Sequence, residues 1–222
     1  MKTWRDGLVY PILGDFHIHT SYSDGVDTID AYCQRARING LSHIAFTEHV
    51  RKELSYSFND YLSEIAAARE HYPELAILAG CETKVIDRSG SLDAQKSVID
   101  SCDFVTAVFH SFPYSDKETY LEALGAMLTN PVVNVWGHPT LFAKKQGFQL
   151  DLDEIAGIVE TCVRSGIIIE INLKYRLPDS EFLKIACKEG AKFVFGSDAH
   201  AVDELLNKDR LVKLWEKIAQ MY

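Results

Sequence analysis

Two short motifs near opposite ends of the chain carry side chains that bind metal ions. The segment Asp15-Phe16-His17-Ile18-His19 places two histidines one residue apart, and Asp198-Ala199-His200 pairs a carboxylate with a histidine at the same spacing. Alternate residues of a β-strand point to the same face, so each motif presents two ligands side by side. Imidazole nitrogen and carboxylate oxygen suit zinc, iron and related ions. We predict that the motifs form two halves of one metal site if the chain curls into a barrel.

The same residue types recur directly after other apolar runs of the chain. These further candidate ligands are Asp24, His49, Glu82, His110 and His138, and Glu48 and Glu170 also follow apolar runs. The two remaining histidines, His43 at the start of an apolar run and His71 at the end of a helical segment, are interpreted as structural or solvated. Six histidines and three carboxylates exceed the ligand set of one ion, so about two or three ions are expected.

Short apolar runs alternate with amphipathic segments along the chain, which is typical of a βα protein. Predicted strands lie near residues 11–17, 43–47, 75–81, 104–109, 132–136, 167–171 and 193–196. Helical spacing is clear in Phe58, Tyr61, Leu62 and Ile65, in Ile155, Ile158, Val159 and Cys162, and in Leu211, Leu214, Trp215 and Ile218. Ser57, Asp151 and Ser180 are predicted helix caps.

These units predict an α/β fold with a parallel sheet and helices outside it. Runs such as Ile167-Ile168-Ile169 suit parallel strands that are buried on both faces. A closed barrel is favoured over an open sheet because the candidate ligands all follow strands, and active sites of α/β barrels lie at the C-terminal ends of the strands.

Composition limits the possible partners and location. The chain has 222 residues, 47% hydrophobic residues and a formal net charge of -9, which argues against binding duplex nucleic acid. The first residues lack the apolar stretch of a signal peptide and no run approaches a membrane span, so we expect a cytoplasmic protein without a membrane partner. The cysteines, Cys33, Cys81, Cys102, Cys162 and Cys187, are interpreted as small hydrophobic residues.

The order of the motifs resembles the polymerase and histidinol phosphatase (PHP) superfamily. The series is Asp15-x-His17-x-His19, Ser23-Asp24-Gly25, Thr47-Glu48-His49, Gly80-x-Glu82, His110, Gly137-His138-Pro139 and Gly196-Ser197-Asp198-Ala199-His200. The resemblance implies a distorted seven-stranded (β/α)7 TIM-like barrel that forms a single domain over residues 1–222. It also implies a trinuclear centre of divalent ions, often zinc, manganese or iron.

The resemblance further implies which residues share an ion. His17, His19, Glu82 and Asp198 would hold one ion, Glu82 would bridge to a second held by His110 and His138, and Asp24, His49 and His200 would hold the third. Asp24 replaces a histidine of some members, and Glu48 replaces a commoner aspartate. Strand alternation points Glu48 away from His49, so that change should spare the ligand set. Asp15, Glu48 and Glu170 are expected to orient ligands or to pack in the barrel.

The expected activity is metal-dependent hydrolysis of a small phosphate monoester, with histidinol phosphate among the candidate substrates. Clustered divalent ions lower the pKa of a bound water and clamp phosphoryl oxygens, so a metal-activated hydroxide is expected to attack phosphorus in line. The predicted catalytic residues are Glu82, Asp198 and His200. Arg176, Arg51 and Lys84 follow predicted strands and are either phosphate contacts or solvated surface charges, with Arg176 the first choice.

Three alternatives stay open. A phosphodiesterase or nuclease acting on short nucleotides also occurs in this superfamily. A non-catalytic domain stabilised by metals would need fewer ligands than this chain retains. An amidohydrolase-like barrel also opens with His-x-His, but it normally needs eight βα units and a bridging lysine where this chain has His110. The exact ester, the metal and the oligomeric state are left open.

Overall fold

The computed structural model describes residues 13–221 and contains one parallel seven-stranded sheet in chain order. The strands are β1 (Gly14–Ile18), β2 (His43–Val50), β3 (Ala76–Lys84), β4 (Phe104–Val108), β5 (Val135–Trp136), β6 (Ile168–Asn172) and β7 (Phe193–Gly196). The predicted α/β class and TIM-like barrel are confirmed. Residues 11 and 12 of the first predicted strand lie outside the described residues. The assignment of residues 1–222 to one domain stays a prediction.

Helices follow the strands and cover the outside of the sheet. Within residues 13–221 they are α1 (Ile29–Ile38), α2 (Phe58–His71), α3 (Lys96–Ser101), α4 (Lys117–Leu128), α5 (Leu141–Gln146), α6 (Leu152–Ser165), α7 (Ser180–Lys188) and α8 (Lys208–Ala219). No helix among these residues has the length and apolar character that a membrane span requires. All five cysteines are free thiols, and Cys102 alone is not fully buried.

Two of the three predicted helix caps are confirmed. The side chain of Ser57 accepts a hydrogen bond from the N–H of Asp60, and Asp151 forms a reciprocal capping box with Glu154. The prediction for Ser180 was wrong because the preceding residue, Asp179, has the extended backbone of a cap. Its carboxylate accepts hydrogen bonds from the first turn of α7, so the helix begins at Ser180.

The barrel closes where the first strand meets the segment after β7. Ile18 and Ala199 form a parallel bridge, and the N–H of His19 donates to the carbonyl of Ala199 at 2.8 Å. The buried carboxylate of Asp15 accepts from the N–H of Ser197 at 2.9 Å, and burial raises the pKa of Asp15 to about 6. The two opening motifs therefore lie side by side at this junction.

A layer of apolar side chains fills the barrel below the polar end. Its members are Phe16, Ala45, Phe104, Val135, Ile168 and Val194. A register shift in β1 between Asp15 and Ile18 marks a bulge, which lets Phe16 and His17 both face the interior although they are neighbours in sequence. The apolar layer thus supports the histidines from below.

Strands β2 and β3 extend further toward the polar end of the barrel than predicted. β2 and β3 continue through the pairs His49–Glu82 and Val50–Thr83, because the two strands stay in parallel register there. His49 and Glu82 therefore lie within strands, where the hydrogen-bond ladder fixes their directions, rather than in the loops that follow.

Candidate metal centre

The nine predicted ligands converge at the C-terminal end of the barrel. Three overlapping groups have ligand atoms within 4.8 Å of one another: His19, Asp24, His49 and His200; His17, His19 and Glu82; and His49, Glu82 and His110. The other two predicted ligands contact members of these groups. His138 Nε2 is 3.0 Å from Glu82 Oε1, and Asp198 Oδ1 is 3.8 Å from His19 Nε2. His43 and His71 lie outside these groups.

Glu82 lies at the centre of the cluster. Its Oε1 is 3.4 Å from His17 Nε2 and His110 Nε2, and its Oε2 is 2.6 Å from His49 Nδ1. Burial alone would raise the pKa of this carboxyl group. The charge of His17 and hydrogen bonds from His138, His17 and His49 outweigh that effect and hold the pKa well below its usual range. Glu82 is therefore an anion that can be shared between cations.

Asp24 forms the open side of the cluster. Its Oδ2 lies 3.3 Å from His49 Nε2, and its Oδ1 lies 3.5 Å from His200 Nε2. The rings of His49 and His200 both pack against His19, with centroid distances of 4.4 and 4.6 Å. The Asp24 side chain is 52% exposed, whereas the His19 side chain is buried. A ligand can therefore approach from the side of Asp24.

The donor atoms fit bound cations. His17 Nε2 and His19 Nε2 are 3.1 Å apart, and His110 Nε2 and His138 Nε2 are 2.9 Å apart. The buried His19 Nδ1 has no hydrogen-bond partner among the described residues. Burial lowers the pKa of His19 well below its usual range and that of His110 to about 4, so both rings are neutral and offer lone pairs. The lone pairs of His19 and His110, and an orphaned ring nitrogen beside carboxylates, are satisfied by divalent ions.

Glu170 orients two of the ligands from behind. Its Oε1 accepts a hydrogen bond from His17 Nδ1 at 2.8 Å, which leaves Nε2 of that ring facing Glu82. The backbone N–H of His138 donates to the other oxygen of Glu170, and Asn172 Nδ2 donates to Oε1 at 3.1 Å. Carboxylates in this position fix the tautomer of a ligating histidine and raise its basicity.

Replacing Glu170 with glutamine is expected to weaken metal binding about 10- to 100-fold, the usual cost of losing such a supporting group. Glutamine keeps the volume of the side chain but removes the charge that favours the Nδ1–H tautomer of His17. Competition with a chromogenic chelator measures the affinity, and thermal unfolding checks that the fold is intact. Unchanged affinity in a folded Glu170→Gln variant would show that the carboxylate does not support the site.

Glu48 faces away from His49, toward the loop that carries Asp24. Its carboxylate accepts from the N–H of Thr20 at 3.0 Å, the Thr20 hydroxyl at 2.7 Å and the Ser23 hydroxyl at 2.5 Å. Burial raises the pKa of Glu48 to about 7 despite these hydrogen bonds. The residue therefore holds the loop in place without pointing into the cluster.

The three basic residues predicted to contact phosphate lie in different places. Arg51 lines a cavity of ≈ 260 Å³ together with Asp24 and His49. Lys84 instead forms an ion pair with Asp93 at 3.4 Å. Arg176, the first choice, lines a separate cavity of ≈ 370 Å³ that contains none of the nine ligands. Only Arg51 is therefore brought beside the cluster.

Lys174 lies where Arg176 was expected. Its Nζ is 3.2 Å from Asp198 Oδ1 and 3.3 Å from His200 Nδ1. The reason is a tight loop in which Asn172 and Leu177 exchange backbone hydrogen bonds and Arg176 adopts a φ of 57°. The sequence did signal a basic residue after β6, but the loop geometry decides which one faces the ligands.

Tyr175 also borders the cluster and was not predicted. Its ring meets His138 edge-on at a centroid distance of 5.8 Å. The ammonium groups of Lys145 and Lys174 each lie 5.8 Å from the centre of the same ring. Tyr175 thus forms part of the wall beside the ligands, in contact with two cations.

Comparison with known proteins gives relatives that cover almost the whole chain. A protein of Acetivibrio thermocellus named "Probable phosphatase" is 29% identical over 214 residues, which is 92% of this chain and 86% of that protein. The DNA polymerase/3'-5' exonuclease PolX of Bacillus subtilis is 28% identical over 219 residues, and the match covers 92% of this chain. This chain spans 38% of the length of PolX.

A solved structure shares the fold. The histidinol phosphate phosphatase of Lactococcus lactis, crystallised with zinc, L-histidinol and phosphate, matches 94% of this chain and 93% of its own with a TM-score of 0.71 and 20% identity. The family model described as PHP domain matches residues 15–174. That segment is more than half of the chain and contains every clustered ligand before β7, and on this basis the chain belongs to the PHP family.

Proposed function

We propose that this metal-dependent phosphatase of the PHP family is a phosphomonoesterase that acts on small molecules through a centre of about three divalent ions. The observation that carries the proposal is the convergence of nine donor residues, with the anionic Glu82 at their centre. A single structural ion needs about four ligands and no open side, whereas this cluster has more donors and is open at Asp24.

The residues divide among the ions as follows. His17, His19, Glu82 and Asp198 would hold one ion, Glu82, His110 and His138 would hold the second, and Asp24, His49 and His200 would hold the third. His49 lies between the last two groups, because its two ring nitrogens contact Glu82 and Asp24 separately. Zinc, manganese and iron all suit this mixture of nitrogen and oxygen donors.

The ions, when bound, supply a water of lowered pKa and neutralise charge on the phosphoryl oxygens. The side chains of the protein prepare the rest of the site. Asp24 leaves one side open for the ester, and Lys174 and Tyr175 border it near Asp198 and His138. His200 would hold its ion through Nε2 beside Asp24, so the proton for the leaving oxygen is supplied by water and not by this ring. Asp198 holds the ring there through the backbone, since its carbonyl oxygen is 2.9 Å from His200 Nδ1.

A small monoester fits this surface better than a nucleic acid strand. Strands need a basic groove with aromatic stacking platforms over several nucleotides. The cavity that Arg51 lines beside the cluster is ≈ 260 Å³, and the chain carries a net charge of -9.

The likeness to PolX keeps a phosphodiesterase as the second candidate, although the match covers only 38% of that protein. Histidinol phosphate is a candidate substrate because the Lactococcus lactis phosphatase was crystallised with L-histidinol and phosphate.

A pair of matched aryl esters separates the two candidates. We expect kcat/KM for a phosphate monoester to exceed that for the corresponding diester by about tenfold or more, since the extra ester group must be accommodated beside a confined metal centre. Phosphate and phenol release are measured with the same preparation, with and without chelator. A higher kcat/KM for the diester would favour the phosphodiesterase and contradict the proposal.

A further inference from the structure

A second small cavity opens directly beside Asp198. Its volume is ≈ 250 Å³, and its lining residues are Leu173, Lys174, Ser197, Asp198, Glu204 and Arg210. Of these residues, Asp198 belongs to the proposed ligand set and the others do not. A group held in this cavity would therefore lie beside Asp198 and Lys174, next to the proposed centre, without taking a ligand position.

The charges around this cavity favour an anion. Asp198 Oδ1 is 3.2 Å from Lys174 Nζ, and its charge would be shared with a bound ion once the centre is loaded. Glu204 keeps its charge, because its Oε2 accepts only the neutral backbone N–H of His200 at 2.7 Å. The guanidinium of Arg210 forms no ion pair with any residue in the described range 13–221, although its backbone N–H is held by Asn207 in the first turn of α8. In the loaded protein, the two cations Arg210 and Lys174 would thus face one carboxylate that no ion holds, Glu204, and the lining would carry a net positive charge.

We propose that this cavity is a subsite for a carboxylate carried by the leaving group of the substrate. The inference rests on the proposed phosphatase function and specifies its substrate class as small phosphorylated carboxylic acids. The planar guanidinium of Arg210 matches a carboxylate with two parallel hydrogen bonds, and Lys174 adds a second cation between the cavity and the centre. The cavity, with a volume of ≈ 250 Å³, has room for the leaving group of a small ester.

The subsite also predicts which substrates are disfavoured. An ester whose leaving group carries an ammonium group would place a positive charge beside Arg210 and Lys174. Histidinol phosphate has such a group, so the subsite ranks this candidate substrate below phosphorylated carboxylic acids although the fold resembles that of a histidinol phosphate phosphatase. The charge of the leaving group is therefore the property on which the two substrate classes differ.

Three esters of nearly equal size test the subsite: phosphoglycolate, ethylene glycol monophosphate and phosphoethanolamine. They end in a carboxylate, a hydroxyl and an ammonium group. Binding to the metal-loaded protein is measured by calorimetry, and hydrolysis by phosphate release. We expect phosphoglycolate to bind about tenfold more tightly than the hydroxyl ester, the gain from one charge-assisted hydrogen-bond pair, and phosphoethanolamine to bind most weakly.

Substitutions on α8 test whether the preference for phosphoglycolate arises from the cavity. Arg210→Met should reduce the preference for phosphoglycolate to less than about threefold, and Arg210→Glu should reverse the order of the charged esters. Lys217→Met removes a positive charge two turns further along the same exposed helix face and should leave the preference unchanged. This control separates the cavity from the general charge of the surface.

The outcomes distinguish the subsite from the function on which it rests. Equal binding of the three esters, or a preference that survives Arg210→Glu, would overturn the subsite even if all three are hydrolysed. Preferential binding of phosphoglycolate that is lost in Arg210→Met supports the subsite, even if no ester is hydrolysed. In that last case the phosphatase proposal, and not the anion subsite, would be contradicted.

Discussion

Glu82→Gln is expected to lower kcat/KM for a phosphate monoester by about a thousandfold, the upper range for removing one electrostatic group from a water-excluded site. The carboxylate contacts His17, His49, His110 and His138, and it is the only group shared by two of the proposed ions. Glutamine has the same shape but no charge, so the bound cations would lose their common anion. The number of bound ions should fall together with the activity.

Glu48→Gln is the matched control for this substitution. It makes the same chemical change at a buried residue of the neighbouring strand, but its side chain faces the Thr20–Ser23 loop instead of the ligands. We expect less than about a tenfold change in activity and no loss of metal, because a carboxyl group with a pKa of about 7 is already partly neutral. A Glu82→Gln variant that kept both metal and activity would remove Glu82 from the centre.

The barrel and the location of the site were predictable because parallel strands impose strong constraints. Polar residues such as His110 and His138 come just after buried runs, and the C-terminal ends of parallel strands meet at one end of a barrel. This geometry places residues that are far apart in sequence next to one another in the folded protein. The same argument brought His17 and Asp198 together, although 180 residues separate them in the chain.

Loop shapes and local irregularities were not predictable from residue types. The bulge in β1 moves Phe16 and His17 to the same side, which simple alternation cannot anticipate. Arg176 lines a separate cavity and Lys174 faces the ligands, because a loop closed by Asn172 and Leu177 turns successive side chains in different directions. The N-cap of α7 is Asp179 and not Ser180, because the helix begins one residue earlier than a Ser180 cap would place it.

Removing the metal ions is expected to abolish phosphate release, and adding back a divalent ion should restore it. The buried histidines and carboxylates of the cluster lose their common partners when the ions are withdrawn, so the thermal unfolding midpoint should also fall. The size of that fall depends on ion concentration and affinity, because ligands stabilise a fold by mass action. A chelated sample that is fully active would mean that hydrolysis does not depend on the cluster.

The central claim is that the side chains gathered around Glu82 hold the divalent ions on which phosphatase activity depends. The most direct test measures metal content and phosphate release on one preparation, before and after chelation and after re-addition of zinc, manganese or iron. We predict about three ions per chain before chelation, parallel loss of ions and activity, and recovery of both. A metal-free preparation with full activity, or a metal-loaded one that releases phosphate from no monoester, would contradict the account.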